Sequence, residues 1–359
     1  MEKILYIKRG KIAFYELDQQ ILEEKYIVKP FLLPRNTSKF VFVREILHMI
    51  WFIITNSWKT LAIVTWFADY HAAVIVFMGR ILRKKIVIFA GGQEAICYPE
   101  FRKGVYFKKF RGEFVRYALR NASVIVLNHQ SLLYHENFYY SNEGKKDGIR
   151  FYIPDLKTPV MVIPNGIDTS VHFRDFSIPK EENRILTMGP MDSTPDFINK
   201  GFDLFLEMAR RFPLLKFTLI GIKAKFIPWI ESNYAISTIP NLELILSYCP
   251  PEVLFFNYNR AKIYIQASIT EGMPYTLSEA MLCECIPIGS NVNGIPDAIG
   301  NTGIILLKRS PEDLEQALRK AMTMNTGHQA RQHVLNNYTL EIRRKNIHKL
   351  FSEMLSDSL

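Results

Sequence analysis

In the second half of the chain six short apolar runs recur: Arg184–Met188, Lys216–Ile220, Leu242–Leu246, Lys262–Gln266, Ile286–Gly289 and Gly303–Leu307. Between them, Phe202–Arg211, Glu252–Asn259, Pro274–Glu284 and Pro311–Met322 carry apolar residues at helical spacing. A strand that reads as a near-continuous apolar run is buried on both faces, and crossover helices of about 10 to 15 residues between such strands specify a parallel sheet covered on both sides. The first half repeats this grammar less cleanly, with strands expected at Ile4–Ile7, Ala62–Trp66, Lys85–Phe89, Val124–Leu127 and Met161–Ile163. Tyr134–Pro159 is polar, aromatic and irregular, and reads as a long surface loop. At 359 residues the chain exceeds what one core holds. The expectation is therefore α/β: two doubly wound, Rossmann-like domains with a hinge after Pro164-Asn165-Gly166. Their facing carboxyl strand ends would form a ligand cleft.

Composition removes other classes. With 48% hydrophobic and 22% charged residues, 18 Gly and 18 Pro, the chain is neither disordered nor collagenous. Cys97, Cys249, Cys283 and Cys285 form no CxxC pair and have no histidines at metal spacing, which argues against a zinc site or a disulfide framework and for a reducing cytoplasm. Lys8, Arg9, Lys11 and Glu16 interrupt the start, so no secretory signal is expected. Ile46–Met78 is broken by Asn56, Lys59, Asp69 and His71, so no spanning helix is expected.

The net charge of +10 is unevenly distributed. Residues 1–165 hold 25 Lys and Arg against 14 Asp and Glu, hence +11, and the remainder holds 20 against 21, hence −1. One domain facing an anionic membrane or a phosphorylated acceptor accounts for this, as does a charge that only keeps the protein soluble. Nucleic acid is not expected as a partner, because no helix-turn-helix, zinc-finger or RNP-type signature is present.

The stretch most able to carry chemistry is Ser268–Gly300, SITEGMPYTLSEAMLCECIPIGSNVNGIPDAIG, which follows an expected buried strand. Pro274 suits the first turn of a helix, which puts Glu271 in the preceding loop and Glu279 in the second turn. Amides around Met273, Tyr275 and Thr276, in the donor-binding turn that also holds Gly272 and Pro274, can then donate to phosphate or hydroxyl oxygens, while the two carboxylates accept from sugar hydroxyls. Taken alone, the two glutamates also read as ordinary cap and solvent-face carboxylates.

EGMPYTLSEAM followed by IPIGSNVNGIPDAI resembles the E-x7-E region of family 4 glycosyltransferases, which have the GT-B architecture. IPNGID (Ile163–Asp168), MGP, KGFDLFLEMARRFP (Lys200–Pro213) and KFTLIG (Lys216–Gly221) extend the resemblance over most of the second half, in the expected order. It implies a retaining, hexosyltransferase-type enzyme that uses a nucleotide-diphosphate sugar as donor, without a metal or other cofactor. The acceptor would be a glycan or lipid-linked glycan in cell-surface polysaccharide assembly. By the same resemblance Glu271 holds hydroxyls of the donor sugar, Glu279 the ribose and Lys200 the diphosphate, where cation and amides meet the charge building on the leaving oxygen. The domains expected are 1–166 on the acceptor side, 167–335 for the nucleotide sugar, and a helical segment 336–359 returning to the first domain. One departure stands out. The family often has Gly-Arg where this chain has Gly189-Pro190, so half of the cationic clamp is missing, with Lys223, Lys225, a first-domain residue or Arg184 as open substitutes. A nucleotide-sugar epimerase on a similar fold is one rival reading, and a non-catalytic GT-B subunit is the other.

In the first domain Asp69 and His71 follow a strand and open on the cleft, where either can orient or deprotonate an acceptor hydroxyl, although a lone histidine beside aromatics is also commonly structural. Gly91 and Gly92 would let backbone approach the donor, and Glu94 stands where the family often has an aspartate. Phe101–Arg120 reads either as solvated helices or as an acceptor-side patch in reversible contact with anionic lipid. The second reading places the protein in the cytoplasm, peripheral at the inner face of the cell membrane.

Overall fold

The computed structural model describes residues 2–10, 12–35, 38–246 and 249–356. The last residues of the segment expected at 336–359 fall outside that set. Two six-stranded sheets organise the chain, and every pair of neighbouring strands in them is parallel. The first contains β1 (Lys3–Arg9), β2 (Ile27–Leu33), β3 (Thr60–Trp66), β4 (Lys85–Ala90), β5 (Val124–Leu127) and β6 (Val160–Val162), in the order β6-β5-β4-β3-β1-β2. The second contains β7 (Glu181–Met188), β8 (Lys216–Ile222), β9 (Leu242–Leu246), β10 (Ala261–Gln266), β11 (Ile286–Ser290) and β12 (Ile304–Leu306), in the order β9-β8-β7-β10-β11-β12. The order reverses between β1 and β3 in the first sheet and between β7 and β10 in the second. Ligands of open α/β sheets bind in the crevice at such a point.

Alternation along each strand supplies both faces of the first sheet. Leu5, Ile63 and Ile86 lie in register across β1, β3 and β4 and face the core that holds α3 (Tyr70–Ile81) and α4 (Lys109–Asn121). Ile4, Tyr6, Val64 and Phe89 face the other way, packed with Tyr15, Ile21 and Leu22 of α1 (Ala13–Glu23) and with Ile347, Leu350 and Phe351 of the final helix. The second sheet has one continuous row, Phe217–Ile185–Ile263–Ile286, fully or almost fully buried.

The final helix, residues 340–356, returns to α1 and is anchored by a buried ion pair. Arg343 donates to both Asp18 oxygens at 2.6 and 2.7 Å and to the carbonyls of Ile163 and Pro164, while the Trp66 indole donates to Asp18 at 3.0 Å. A buried charge is tolerated when it is paired and its remaining donors are satisfied, and that is the case here.

Three elements differ from the sequence reading. β2 is not among the expected strands, because Pro30 interrupts its apolar pattern; as an edge strand it tolerates the missing N–H. Tyr134–Pro159 is not a plain surface loop. It contains a hairpin (His135–Asn137 with Lys145–Asp147) and a short helix (Ile149–Tyr152), and buries Asn137, Tyr139 and Ile153. Asn137 donates to the Ile269 carbonyl at 2.8 Å, which ties the segment to the second domain. Finally, α2 (Lys39–Asn56) is apolar on two sides. Met49 and Ile53 are buried, while Phe40, Val43, Leu47, Trp51 and Ile54 form an exposed stripe at helical spacing. Among the described residues no helix is long and apolar enough to cross a membrane.

Candidate active site

The site in the second domain lies where its strand order reverses. β7 ends at Met188, and a short helix, α5 (Thr194–Asn199), follows. Its start is fixed by a capping box between Ser193 and Asp196, and it delivers Lys200 at its end. The chain then turns through Gly201 at φ +73°, where a Cβ would lie 2.5 Å from the Ala267 carbonyl, so only glycine fits. The loop after β10 is pinned to the same turn, with Ile269 N–H donating to the Asn199 carbonyl at 2.8 Å and the Thr270 hydroxyl to the Asn199 side chain at 2.9 Å. These bonds bring Lys200 Nζ to 2.7 Å from Glu271 Oε2. Asn293 donates to the Glu271 carbonyl.

Past Glu271 the chain approaches the first domain. A Cβ on Gly272 would sit 2.7 Å from the Gly91 carbonyl, so the two glycine segments meet across the cleft without side chains between them. Met273 accepts from Asn165 at 2.9 Å. Pro274 occupies the N-cap with extended geometry (φ −74°, ψ 125°) rather than the first helical turn, and α6 begins at Tyr275 and runs to Leu282 (Tyr275–Leu282). The first amides of a helix lack intrahelical partners and attract anions. The Tyr275 ring stacks on Phe14 of the first domain, 5.9 Å between centroids, and the Thr276 hydroxyl bonds to Gln266. These two residues therefore offer backbone rather than side chain to a ligand.

Glu279, one turn further along α6, accepts from the Tyr258 hydroxyl at 3.1 Å and lies 3.6 Å from His172 Nε2. Burial raises its pKa, with His172 and Tyr258 opposing. His172 carries no motif that the sequence alone would single out; nor do Asn199 and Asn293, which fix the Lys200–Glu271 pair.

On the first-domain side Glu94 is not a donor contact. It is fully buried, its oxygens accept from Ala68 N–H at 2.7 Å and Gly92 N–H at 3.3 Å, and burial lifts its pKa to about 7 against those bonds. It holds the Gly91–Gly92 turn in place. Asp69 caps α3 and receives Arg9 at 2.8 Å and Arg111 at 2.9 and 2.7 Å. Burial would raise its pKa, but Arg111 outweighs that and holds it below the usual carboxylate range, so Asp69 anchors arginines and is a poor proton acceptor. His71 is buried, its pKa drawn down to about 4 by burial, and its Nε2 has no partner. Asp69 and His71 line a cavity of about 660 Å³ next to Gln93, whereas Lys200 and Glu271 do not line it. The structure thus forms two adjoining groups: Lys200, Glu271, Gly272, Gly91 and Gly92 in one, Asp69 and His71 in the other.

Of the cations open as substitutes for the missing arginine, Arg184 is excluded: it is buried along β7, donating to Thr218 and Glu243 at 2.6 Å each. Lys225 lies over the Phe226 ring. Lys223 lines the cavity, paired with Asp192. Among the described residues no group of three or more His, Cys, Asp or Glu side chains is placed to hold a metal ion.

Residues 168–339 match the family model described as glycosyl transferases group 1. One of the subunits of phosphatidylinositol N-acetylglucosaminyltransferase from Arabidopsis thaliana is 24% identical over 169 residues, 46% of this chain and 37% of the relative. The match thus spans little more than a third of that relative's length. Sucrose-phosphate synthase from Thermosynechococcus elongatus superposes with a TM-score of 0.75 at 13% identity, covering 99% of this chain and 100% of that one. The Anabaena Alr3699/HepE protein in complex with UDP-glucose gives 0.71 at 13%, covering 98% and 100%. The chain has the GT-B architecture, and its residues 168–339 are similar to the glycosyl transferases group 1 family.

Proposed function

We propose that this chain is a retaining family 4 glycosyltransferase of the hexosyltransferase type, moving a sugar from a nucleotide-diphosphate sugar to a glycan or lipid-linked glycan in cell-surface polysaccharide assembly. The observation that carries the reading is the Lys200–Glu271 pair, 2.7 Å apart, at the strand-order reversal of the second sheet and beside the first amides of α6. A diphosphate seated there meets Lys200 and the amides as charge develops on its leaving oxygen. Glu271 then turns to the hydroxyls of the donor sugar, and Glu279 to the ribose. Gly91 and Gly92 close the donor from the opposite wall. Departure and attack on one face of the sugar retain configuration without a protein nucleophile, so neither a metal nor another cofactor is required.

Incubation with a panel of nucleotide sugars tests the reading. Nucleotide released only when acceptor is present supports transfer, and a changed sugar without acceptor means epimerisation. Binding without turnover means a non-catalytic subunit, the rival favoured by Pro190 in place of the clamp arginine.

The same proposal puts the first domain against the cytoplasmic face of an anionic membrane. Its support is the exposed stripe on α2, with Phe40 79% and Trp51 69% exposed and Trp58 just beyond it at 78%, in a half of the chain carrying +11. Apolar insertion and cationic attraction then act together. The insertion surface is α2, with Phe77, Ile81 and Phe110 from α3 and α4 also exposed, rather than Phe101–Arg120 as a whole.

A further inference from the structure

The first sheet has its own strand-order reversal, between β1 and β3, and the cavity of about 660 Å³ lies there. Its walls bring together residues remote in sequence: Arg9 at the end of β1, Arg35 after β2, Asp69 and His71 after β3, Arg111 from α4, and Lys223 from the second domain. Lys223 is paired with Asp192, which also lines the cavity. Four cations therefore face two carboxylates, a surplus of two positive charges in a space the size of a small-ligand site.

The arginines are not consumed by their partners. A guanidinium carries five N–H donors; Arg9 gives one to Asp69, Arg111 gives two to Asp69, and Arg35 gives one to the Arg9 carbonyl. Asp69 thereby fixes two guanidinium planes while cancelling one charge. On the same wall the buried His71 Nε2 has no hydrogen-bond partner, and the Tyr15 hydroxyl faces the Arg35 guanidinium. A preorganised arginine fork is the side-chain arrangement best matched to phosphate oxygens.

We propose that this cavity is the binding site for a phosphate group on the acceptor, so that the acceptor is a phosphate-bearing sugar or lipid. The inference rests on the transferase reading, which places the donor diphosphate at Lys200 in the other domain and leaves this second anion site to the acceptor. Arg9, Arg35 and Arg111 hold the phosphate, and the acceptor hydroxyl points toward Glu271 across the Gly91–Gly92 turn.

The test is calorimetric titration with inorganic phosphate at fixed ionic strength, which keeps screening constant. Wild type and Lys200→Gln should both bind phosphate. Arg35→Gln, at an exposed position, should weaken this binding at least about tenfold without lowering the melting temperature. Arg9→Gln should act in the same direction. Phosphate binding that is absent from wild type, or unchanged in both arginine variants, overturns the proposal. Competition identifies the source: displacement by a lipid phosphate in mixed micelles assigns the site to a lipid-linked acceptor, displacement by a soluble sugar phosphate assigns it to a soluble one, and displacement by neither overturns it. Nucleotide-sugar turnover is read separately. Turnover with arginine-independent phosphate binding breaks this inference alone, and arginine-dependent phosphate binding with no turnover on any donor breaks the transferase reading alone.

Discussion

The two sheets have the same number of strands, all parallel, yet they build their crevices differently. In the second domain the residues at the strand-order reversal come from two short stretches, 199–201 and 267–276, held together by local backbone bonds. In the first they come from positions 9, 35, 69, 71 and 111, joined only once the sheet has formed. One is nearly neutral with a single lysine–glutamate pair, the other strongly cationic with an acid acting as anchor. Under the proposed roles a nucleotide-sugar site is written as a motif, while an acceptor site is written in topology, where single substitutions alter it without disturbing the donor side.

The largest expected effect tests whether the domains are independent. Arg343→Ala leaves Asp18 charged and buried without its partner, and should cost about 3–5 kcal/mol of stability, read by denaturant unfolding. A smaller loss would mean that the first domain does not depend on the final helix. Next comes Glu94. The folded protein keeps its proton up to about pH 7, whereas an unfolded glutamate releases it near 4.5. At this group the native state therefore binds more protons in that window, so its own contribution to stability falls as pH rises through it, by up to about 3 kcal/mol. Glu94→Gln should flatten this slope in melts from pH 4 to 8; an unchanged slope removes Glu94 as its source.

Third, Lys200→Ala and Glu271→Ala should each lower turnover at least tenfold, about 1.4 kcal/mol of transition-state stabilisation, while Glu279→Ala acts mainly on donor affinity. Near-wild-type rates in both of the first two variants, with folding intact, would remove the second-domain site. The smallest effect concerns membrane contact. Trp51→Ser on the α2 stripe should weaken co-sedimentation with anionic vesicles by on the order of 1 kcal/mol, several-fold in affinity. Binding should also fall with added salt; equal binding to neutral vesicles sinks the cationic half of the argument.

The same contrast explains what the sequence could reveal. Phe202–Arg211 and Leu242–Leu246 match the observed elements end to end, because their apolar periods are unbroken and their boundaries carry Gly or Pro signals. Glu271, Lys200 and the glycines were legible because loop chemistry around a helix start is local. Arg9, Arg35 and Arg111 were not, since no spacing along the chain announces that three distant cations meet. Glu94 and Asp69 were visible as acids at strand ends, but burial and their hydrogen bonds, which only the fold reveals, make them positioning groups. The α2 segment reads as lipid-like and broken by polar residues; that it is helical with apolar residues on opposite sides follows only from what packs beneath it.

The return of the final helix to the first sheet also sets an order of events during synthesis. Ile4, Tyr6, Val64 and Phe89 are covered only in part, by α1, until Ile347, Leu350 and Phe351 arrive, and those residues leave the ribosome after the whole second domain. The first domain is therefore translated early but completed late, with part of one apolar face waiting for its cover. Chains halted after Tyr338 should bind a hydrophobic dye or a chaperone far more strongly than chains carried through Met354, and equal binding would show that the early domain seals itself.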